Sequence, residues 1–190
     1  MKNRTKIVAV TISAVAILFT SKVSAQTIDP NKFRFGIGLE AGVPTGNAHD
    51  ISNFELGGTA RLQYGLSNNL ALTLTSGYYN FFGKNYSSTF SDGTTTTTVS
   101  VEGRSLGMIP VKAGIKAFFS SNFYFGAEAG AGFEVHAPID GGEKNTKLIL
   151  SPGLGFANKT WDVGVRYENF SGHGSSYGLA ALRVAYGFKL

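Results

Sequence analysis

The chain has 190 residues, 43% hydrophobic and only 15% charged, which fits one domain and leaves little room for a second. It has no cysteine, which excludes disulfides, thiolate metal sites, a cysteine nucleophile and a lipid anchor on an N-terminal cysteine. Four of the 17 Lys+Arg (Lys2, Arg4, Lys6, Lys22) fall in the first 25 residues; the remaining 13 face 12 Asp+Glu, so the +5 net charge gives no ground for a nucleic-acid partner.

In chain order, the first segment reads as a leader. Lys2, Arg4 and Lys6 precede an uncharged apolar run from Ile7 to Phe19, and the small residues Val23-Ser24-Ala25 precede Gln26. This is the layout of a cleavable secretory signal over residues 1–25, with an apolar run too short to span a bilayer as a helix. Residues 26–190 then form one exported domain. No later apolar run approaches the roughly 18 residues of a membrane helix. Entry into a membrane therefore requires a closed barrel, in which backbone groups are paired between strands.

From Lys32 onward apolar and polar residues alternate in stretches of about ten, the period of strands with two different faces. Eight stretches follow: Phe33 to Val43, Phe54 to Gly65, Leu70 to Phe81, Arg104 to Phe118, Phe123 to Val135, Lys147 to Ala157, Trp161 to Phe170 and Gly178 to Leu190. In the first, Phe33, Phe35, Ile37, Leu39, Ala41 and Val43 oppose Arg34, Gly36, Gly38, Glu40 and Gly42. The connections after the second, fourth and sixth stretches are short (Leu66 to Asn69, Phe119 to Asn122, Asn158 to Thr160), and the others are longer and polar. That rhythm predicts an all-β, closed, eight-stranded antiparallel up-and-down barrel in the outer membrane, with turns on the periplasmic side and loops outside.

Alternation alone does not say whether the apolar face meets lipid or a soluble core, and a lipocalin-like barrel is the alternative. The charged fraction is well below the roughly 25% of a soluble domain. The polar face is rich in Gly, Ala, Ser and Thr, which suits the cramped interior of a small barrel. Aromatics gather at the strand ends: Phe33, Phe35, Tyr64, Phe123, Phe125, Trp161, Tyr186 and Phe188 toward the short turns, and Tyr78, Phe133 and Tyr167 toward the loops. Two such bands match interfacial girdles and favour the membrane reading.

With the apolar face outward, the lumen receives Arg61, Lys112, Lys116, Arg166 and Arg183 together with Glu40, Glu128, Glu134, Asp162 and Glu168. Balanced signs predict a plug of paired charges, since eight strands leave only enough room for side chains; a gated ion path through the same residues is the alternative. Lys112 and Glu128 should meet near mid-height, and Glu40 should bridge Arg166 and Arg183.

His49, His136 and His173 read as solvated loop residues, a shared metal site being the alternative. No cofactor is expected. Gly-x-Gly pairs such as Gly36/Gly38, Gly130/Gly132 and Gly153/Gly155 are not phosphate cradles, because no helix-patterned segment follows any of them; they mark crowded inner-wall positions and sites of strand bending. The longest loop, Gly83 to Gly103, contains Thr94 to Thr98; it is either a hairpin extending the third and fourth strands or a solvated loop.

His173-Gly174-Ser175 resembles the His and Ser of lipid A deacylases of the PagL kind, in which an acidic residue after the serine orients the imidazole; no Asp or Glu occurs after Glu168, so a Gly/Ser loop is the simpler reading. The whole pattern resembles the small outer-membrane β-barrel superfamily that includes the OmpA transmembrane domain and OmpX. Ile109-Pro110-Val111-Lys112, the turn Ser120-Ser121-Asn122, the segment Phe123 to Gly130 and Val165-Arg166-Tyr167-Glu168-Asn169 further resemble the "outer membrane protein beta-barrel" proteins common in Bacteroidetes. The resemblance implies a structural, adhesion or surface-interaction role, with no catalytic residue carried over. It departs at the end, where Phe188 stands two positions before a terminal Leu190 instead of a terminal aromatic. The expectation is a monomer in outer-membrane lipid whose long loops meet any extracellular partner, with a lipid A hydrolase using Ser175 and His173, or a narrow channel, as alternatives.

Overall fold

A computed structural model describes residues 29–46, 52–91, 96–101, 103–136, 144–172 and 174–190. The signal-sequence reading over residues 1–25, and the readings of His49 and His173, lie outside the described residues. Ten strands form: β1 (Phe33–Gly46), β2 (Ser52–Ser67), β3 (Leu70–Gly83), β4 (Tyr86–Ser91), β5 (Thr96–Val101), β6 (Leu106–Phe118), β7 (Phe123–His136), β8 (Thr146–Ala157), β9 (Trp161–Gly172) and β10 (Ser175–Lys189). Eight of them close a barrel in the order β1-β10-β9-β8-β7-β6-β3-β2, every neighbouring pair antiparallel. This is the all-β barrel that the alternation predicts. β1 seals against β10 from Arg34↔Lys189 to Gly46↔Tyr177, so neither end of the sheet is left as a free edge.

β4 and β5 form a separate two-stranded ladder between β3 and β6, paired from Tyr86↔Val101 to Ser91↔Thr96. The threonine-rich loop is thus a hairpin. The connection between β9 and β10 differs from the expected long loop. Both strands run further than the apolar pattern suggests and are joined through residues 173–174, with Ser175 paired to Gly172. Gly172 (φ 153°) and Gly174 (φ 73°) supply the backbone angles that such a tight turn needs and that other residues rarely adopt. Ser175 is therefore the first residue of a strand and not part of a loose Gly/Ser loop. The ladder lacks pairs at two further places, opposite Pro110 between β6 and β3 and opposite Pro152 between β8 and β9, where the proline has no N–H to donate.

Burial follows the alternation with period two. Leu39, Leu74, Leu148, Leu150, Leu154 and Val165 point out of the barrel and are exposed, whereas their sequence neighbours point into the lumen. The lumen is stratified. At the loop end Phe81, Leu106, Met108, Ile149, Phe170 and Leu179 form an apolar stopper, with Phe170 stacked on Tyr177 at 5.0 Å and Phe81 edge-on to Phe170 at 5.9 Å. At the turn end Ala71, Phe118, Tyr124 and Ala157 form a smaller apolar cluster. Charged and hydroxyl side chains fill the space between.

Close approach of neighbouring strands makes certain lumenal glycines irreplaceable. A Cβ on Gly130 would lie 2.0 Å from the Val111 carbonyl oxygen, whereas one on outward-facing Gly58 would meet nothing within 4 Å. Gly130→Ala is expected to lower stability by about 1–3 kcal/mol because backbone must move. Gly58→Ala should stay within about 0.5 kcal/mol of the parent. Urea midpoints of the detergent-refolded variants test the pair, and equal midpoints would contradict the register described.

Candidate functional site

Lumenal side chains of four other strands, β2, β3, β6 and β9, converge on Glu128 of β7. Its carboxylate accepts hydrogen bonds from Thr75 (2.7 Å) and Thr73 (3.1 Å), and Arg61 Nη2 lies 3.1 Å away. Lys112 and Arg166 stand at 3.8 and 3.9 Å. One threonine hydroxyl serves twice, because Thr75 Oγ1 also accepts from Arg61 Nε at 2.9 Å.

Above Glu128, Lys112 pairs with Glu168, which also accepts from Ser151 (3.1 Å) and lies 3.0 Å from Arg166 Nε. Arg166 pairs in turn with Glu40. The Tyr79 hydroxyl joins these groups: it accepts from Lys112 and from Arg166 Nη2, each at 2.9 Å, and donates to Glu40 at 3.3 Å. Lys112, Glu168 and Glu40 are almost wholly shielded from solvent, so water cannot replace any of these partners.

Below Glu128 the second acceptor is Asp162. It pairs with Lys116, accepts from the Tyr124 hydroxyl at 2.7 Å, and lies 3.5 Å from Arg61 and 3.7 Å from Arg183. Tyr124 has room for this because β8 and β9 carry glycines beside it; a Cβ on Gly155 would sit 2.3 Å from its ring. The Lys116 ammonium lies 4.1 Å from the centre of the same ring, a cation–π contact.

Of the ten charges assigned to the lumen from sequence, nine (Glu40, Arg61, Lys112, Lys116, Glu128, Asp162, Arg166, Glu168, Arg183) form this connected network. Glu134 does not belong to it. It lies near the loop-side end of β7, where it accepts from the Asn145 backbone N–H at 2.9 Å. Glu40 meets Arg166 but does not bridge it to Arg183, which turns instead to Thr59 (2.8 Å) and Asp162. Tyr79, Tyr124, Thr59, Thr73, Thr75 and Ser151 were not foreseen as partners, although each shares strand parity with the charges and so points inward. Glu55, fully buried on β2, has neither carboxylate oxygen hydrogen-bonded.

Outside the barrel, the turn-side aromatics make lateral contacts: Phe33 with Tyr64 (4.8 Å), Phe123 with Phe156 (5.4 Å), Trp161 with Tyr186 (5.5 Å) and Tyr186 with Phe188 (4.9 Å). Phe119 and Phe156 join this ring, and Phe119 packs on Phe125 at 4.6 Å. Phe35 is partly covered. Tyr78, Phe133 and Tyr167 lie outward toward the loop end.

At that end Lys147 donates to Ser175 Oγ (2.6 Å) and to the Gly172 carbonyl (2.9 Å), fastening the β9–β10 turn. Among the described residues no carboxylate hydrogen-bonds Ser175, and no group of three or more His, Asp or Glu could hold a metal ion. At the opposite end Asp29, Lys32, Arg34, Lys159 and Lys189 surround a vestibule of about 210 Å³. The hydrogen bond from Lys189 holds the Asp29 carboxyl below its ordinary range.

Removing the shared carboxylate strands several buried cations. Glu128→Ala is expected to cost about 3–5 kcal/mol, and Glu134→Ala about 1 kcal/mol or less, since it removes one partly exposed hydrogen bond. Urea titration in detergent distinguishes the two, and a Glu128→Ala midpoint equal to that of Glu134→Ala would refute the hub.

No protein-family model matches the chain, and no curated protein matches it. Among solved structures it is similar to Ail, the attachment invasion locus protein of Yersinia pestis, at 15% identity and a TM-score of 0.54, covering 84% of this chain and 100% of that one. The same protein in complex with the heparin analogue sucrose octasulfate gives 17% identity and a TM-score of 0.53, again over 84% and 100%. The N-terminal β-barrel domain of Pseudomonas aeruginosa OprF is similar at 15% identity and a TM-score of 0.49, over 84% and 98%. At these identities the likeness concerns the fold, and the fold is that of the small eight-stranded outer-membrane barrels.

Proposed function

We propose that the chain is an integral outer-membrane protein whose barrel spans the bilayer as a sealed anchor and whose loops carry a surface-interaction or adhesion role. The observation that carries this is the pairing of an apolar, aromatic-ringed exterior with an interior closed by ion pairs and an apolar stopper. Water tolerates a continuous exposed apolar belt of this extent poorly, and lipid favours it. With Phe81, Met108, Ile149 and Phe170 packed across the lumen, the interior offers no wet path, so the plug reading is preferred to the channel. The barrel sheet is closed and leaves no edge of its own for pairing with another copy, which favours a monomeric barrel wall; the β4–β5 ladder keeps its own edges. The segment from Ile109 to Lys112 and the segment from Phe123 to Gly130 support placing the chain with the Bacteroidetes barrels.

We read the chain as non-enzymatic, a reading supported by the lack, among the described residues, of any carboxylate hydrogen-bonded to Ser175. The loops are the remaining candidates for work. That reading draws support from the attachment protein, which uses a similar barrel. Its heparin analogue is a poor guide to a partner here. Residues 47–51, 84–105, 137–145 and 173 hold Asp50, Asp92, Glu102, Asp140 and Glu143 against Lys84, Arg104 and Lys144. An acidic excess disfavours a polyanion. A neutral or cationic surface fits better.

Two measurements test the proposal. Protein refolded in detergent should migrate differently on a gel before and after boiling; a species soluble without detergent and unshifted by heat would turn the faces inside out. Replacing residues 85–103 by a two-residue turn should leave the heat shift intact and abolish cell-surface attachment, and attachment at the parental level would remove the hairpin from the function.

A further inference from the structure

The turn-side half of the lumen carries more positive charge than its own acids neutralise. Arg34, Arg61, Lys116 and Arg183 face two carboxylates, Asp162 and the Glu128 that Arg61 shares with Lys112 and Arg166 above. Asp162 already receives Lys116, Arg61, Arg183 and the Tyr124 hydroxyl. An unneutralised excess of buried cations is strongly disfavoured unless a counter-charge enters.

Two guanidinium nitrogens in this half have no hydrogen-bond partner among the described residues. Arg183, only 3% exposed, gives Nε to Thr59 and turns Nη1 toward Asp162, and its Nη2 remains without a partner. Arg34 gives Nη1 to the Asn158 carbonyl at 2.7 Å, and its Nη2, equally shielded, also remains without one. Both residues line the same void of about 10 Å³, which has room for one small particle. Small residues keep that space open: Gly36, Ala185 and Gly187 form its wall, and a Cβ on Gly187 would lie 2.2 Å from Arg34 Nε.

The void has an approach. Arg34 and Gln63 line it and also line the 210 Å³ vestibule, where Lys32, Lys159 and Lys189 outnumber Asp29. A cleft lined by one sign of charge concentrates the opposite ion at its mouth.

We propose that the turn-side lumen binds a single small monovalent anion of the halide class, held between the Arg34 and Arg183 guanidinium groups and admitted through the lysine-lined vestibule. The size of the void selects a monatomic ion over phosphate, sulfate or a carboxylate, and the surplus of cations selects an anion over water. The inference rests on the lumen alone and stands whatever the loops bind.

The test uses the full chain refolded in detergent and transferred to gluconate buffer. Chloride is then added at constant ionic strength, with its NMR line width and the urea midpoint as readouts. Saturable broadening displaced by bromide, with a midpoint higher in chloride than in gluconate, is expected. Affinity should fall about tenfold or more in Arg34→Gln, as loss of a charge-assisted hydrogen bond implies. Arg34 is only half-buried, so this variant keeps the barrel; Arg183→Gln provides a second reading, with folding of both checked by heat-shifted gel mobility. A joint Lys32→Gln, Lys159→Gln, Lys189→Gln variant should still bind at saturation. Absence of broadening, meaning that water alone occupies the void, would overturn the proposal. So would broadening that survives Arg34→Gln and vanishes in the lysine variant, which would mark a surface effect.

Discussion

An eight-stranded barrel encloses a space only as wide as the side chains that line it, and that narrowness governs the rest of the molecule. No layer of solvent fits between opposite walls, so most polar atoms pointing inward are satisfied by other inward-pointing side chains, the Glu55 carboxylate being an exception. The Glu128 carboxylate meets this requirement by joining side chains from four other strands, and the Thr75 hydroxyl by accepting from one partner while donating to another. Small residues are the complement of these large ones. Tyr124 reaches Asp162 because Gly155 and Gly164 stand where side chains would block it.

The same geometry separates the tasks of the two faces. Strand residues alternate sides, so filling the inside with charge leaves the outside to Leu, Val and Phe, and the exterior becomes suited to lipid as a direct result. The two ends of the barrel also differ in character. The loop end is stoppered by stacked aromatics, and the turn end is bordered by lysines.

Much of this was legible from the sequence because period-two alternation is a direct projection of strand geometry: Phe33 to Val43 and Phe123 to Val135 fall within β1 and β7. What escaped was set by conformation or by partners distant in sequence. The tight β9–β10 turn depends on positive φ at Gly172 and Gly174, which the letters G-H-G leave open among many loop shapes. Tyr78 and Tyr79 are adjacent and chemically alike, yet one faces outward and the other lies at the centre of the charge network. Strand parity separates them once Thr73 and Thr75 are known to point inward. That parity would also have exposed the apolar stopper, since Phe81 lies on the same side as Thr75; treating the inner face as uniformly polar concealed it. Glu134 was placed among the ion pairs because parity specifies a side and not a height.

The β4–β5 hairpin gives the barrel an arm. At about 3.3 Å per residue, six-residue strands extend roughly 20 Å. Its Thr89 and Thr98 hydroxyls lie 3.2 Å apart across the ladder. A segment already paired along its length has surrendered most of its backbone freedom before any encounter. Contact at its tip therefore loses less entropy than contact by an unpaired loop of equal length, and a small contact patch can suffice for a measurable affinity.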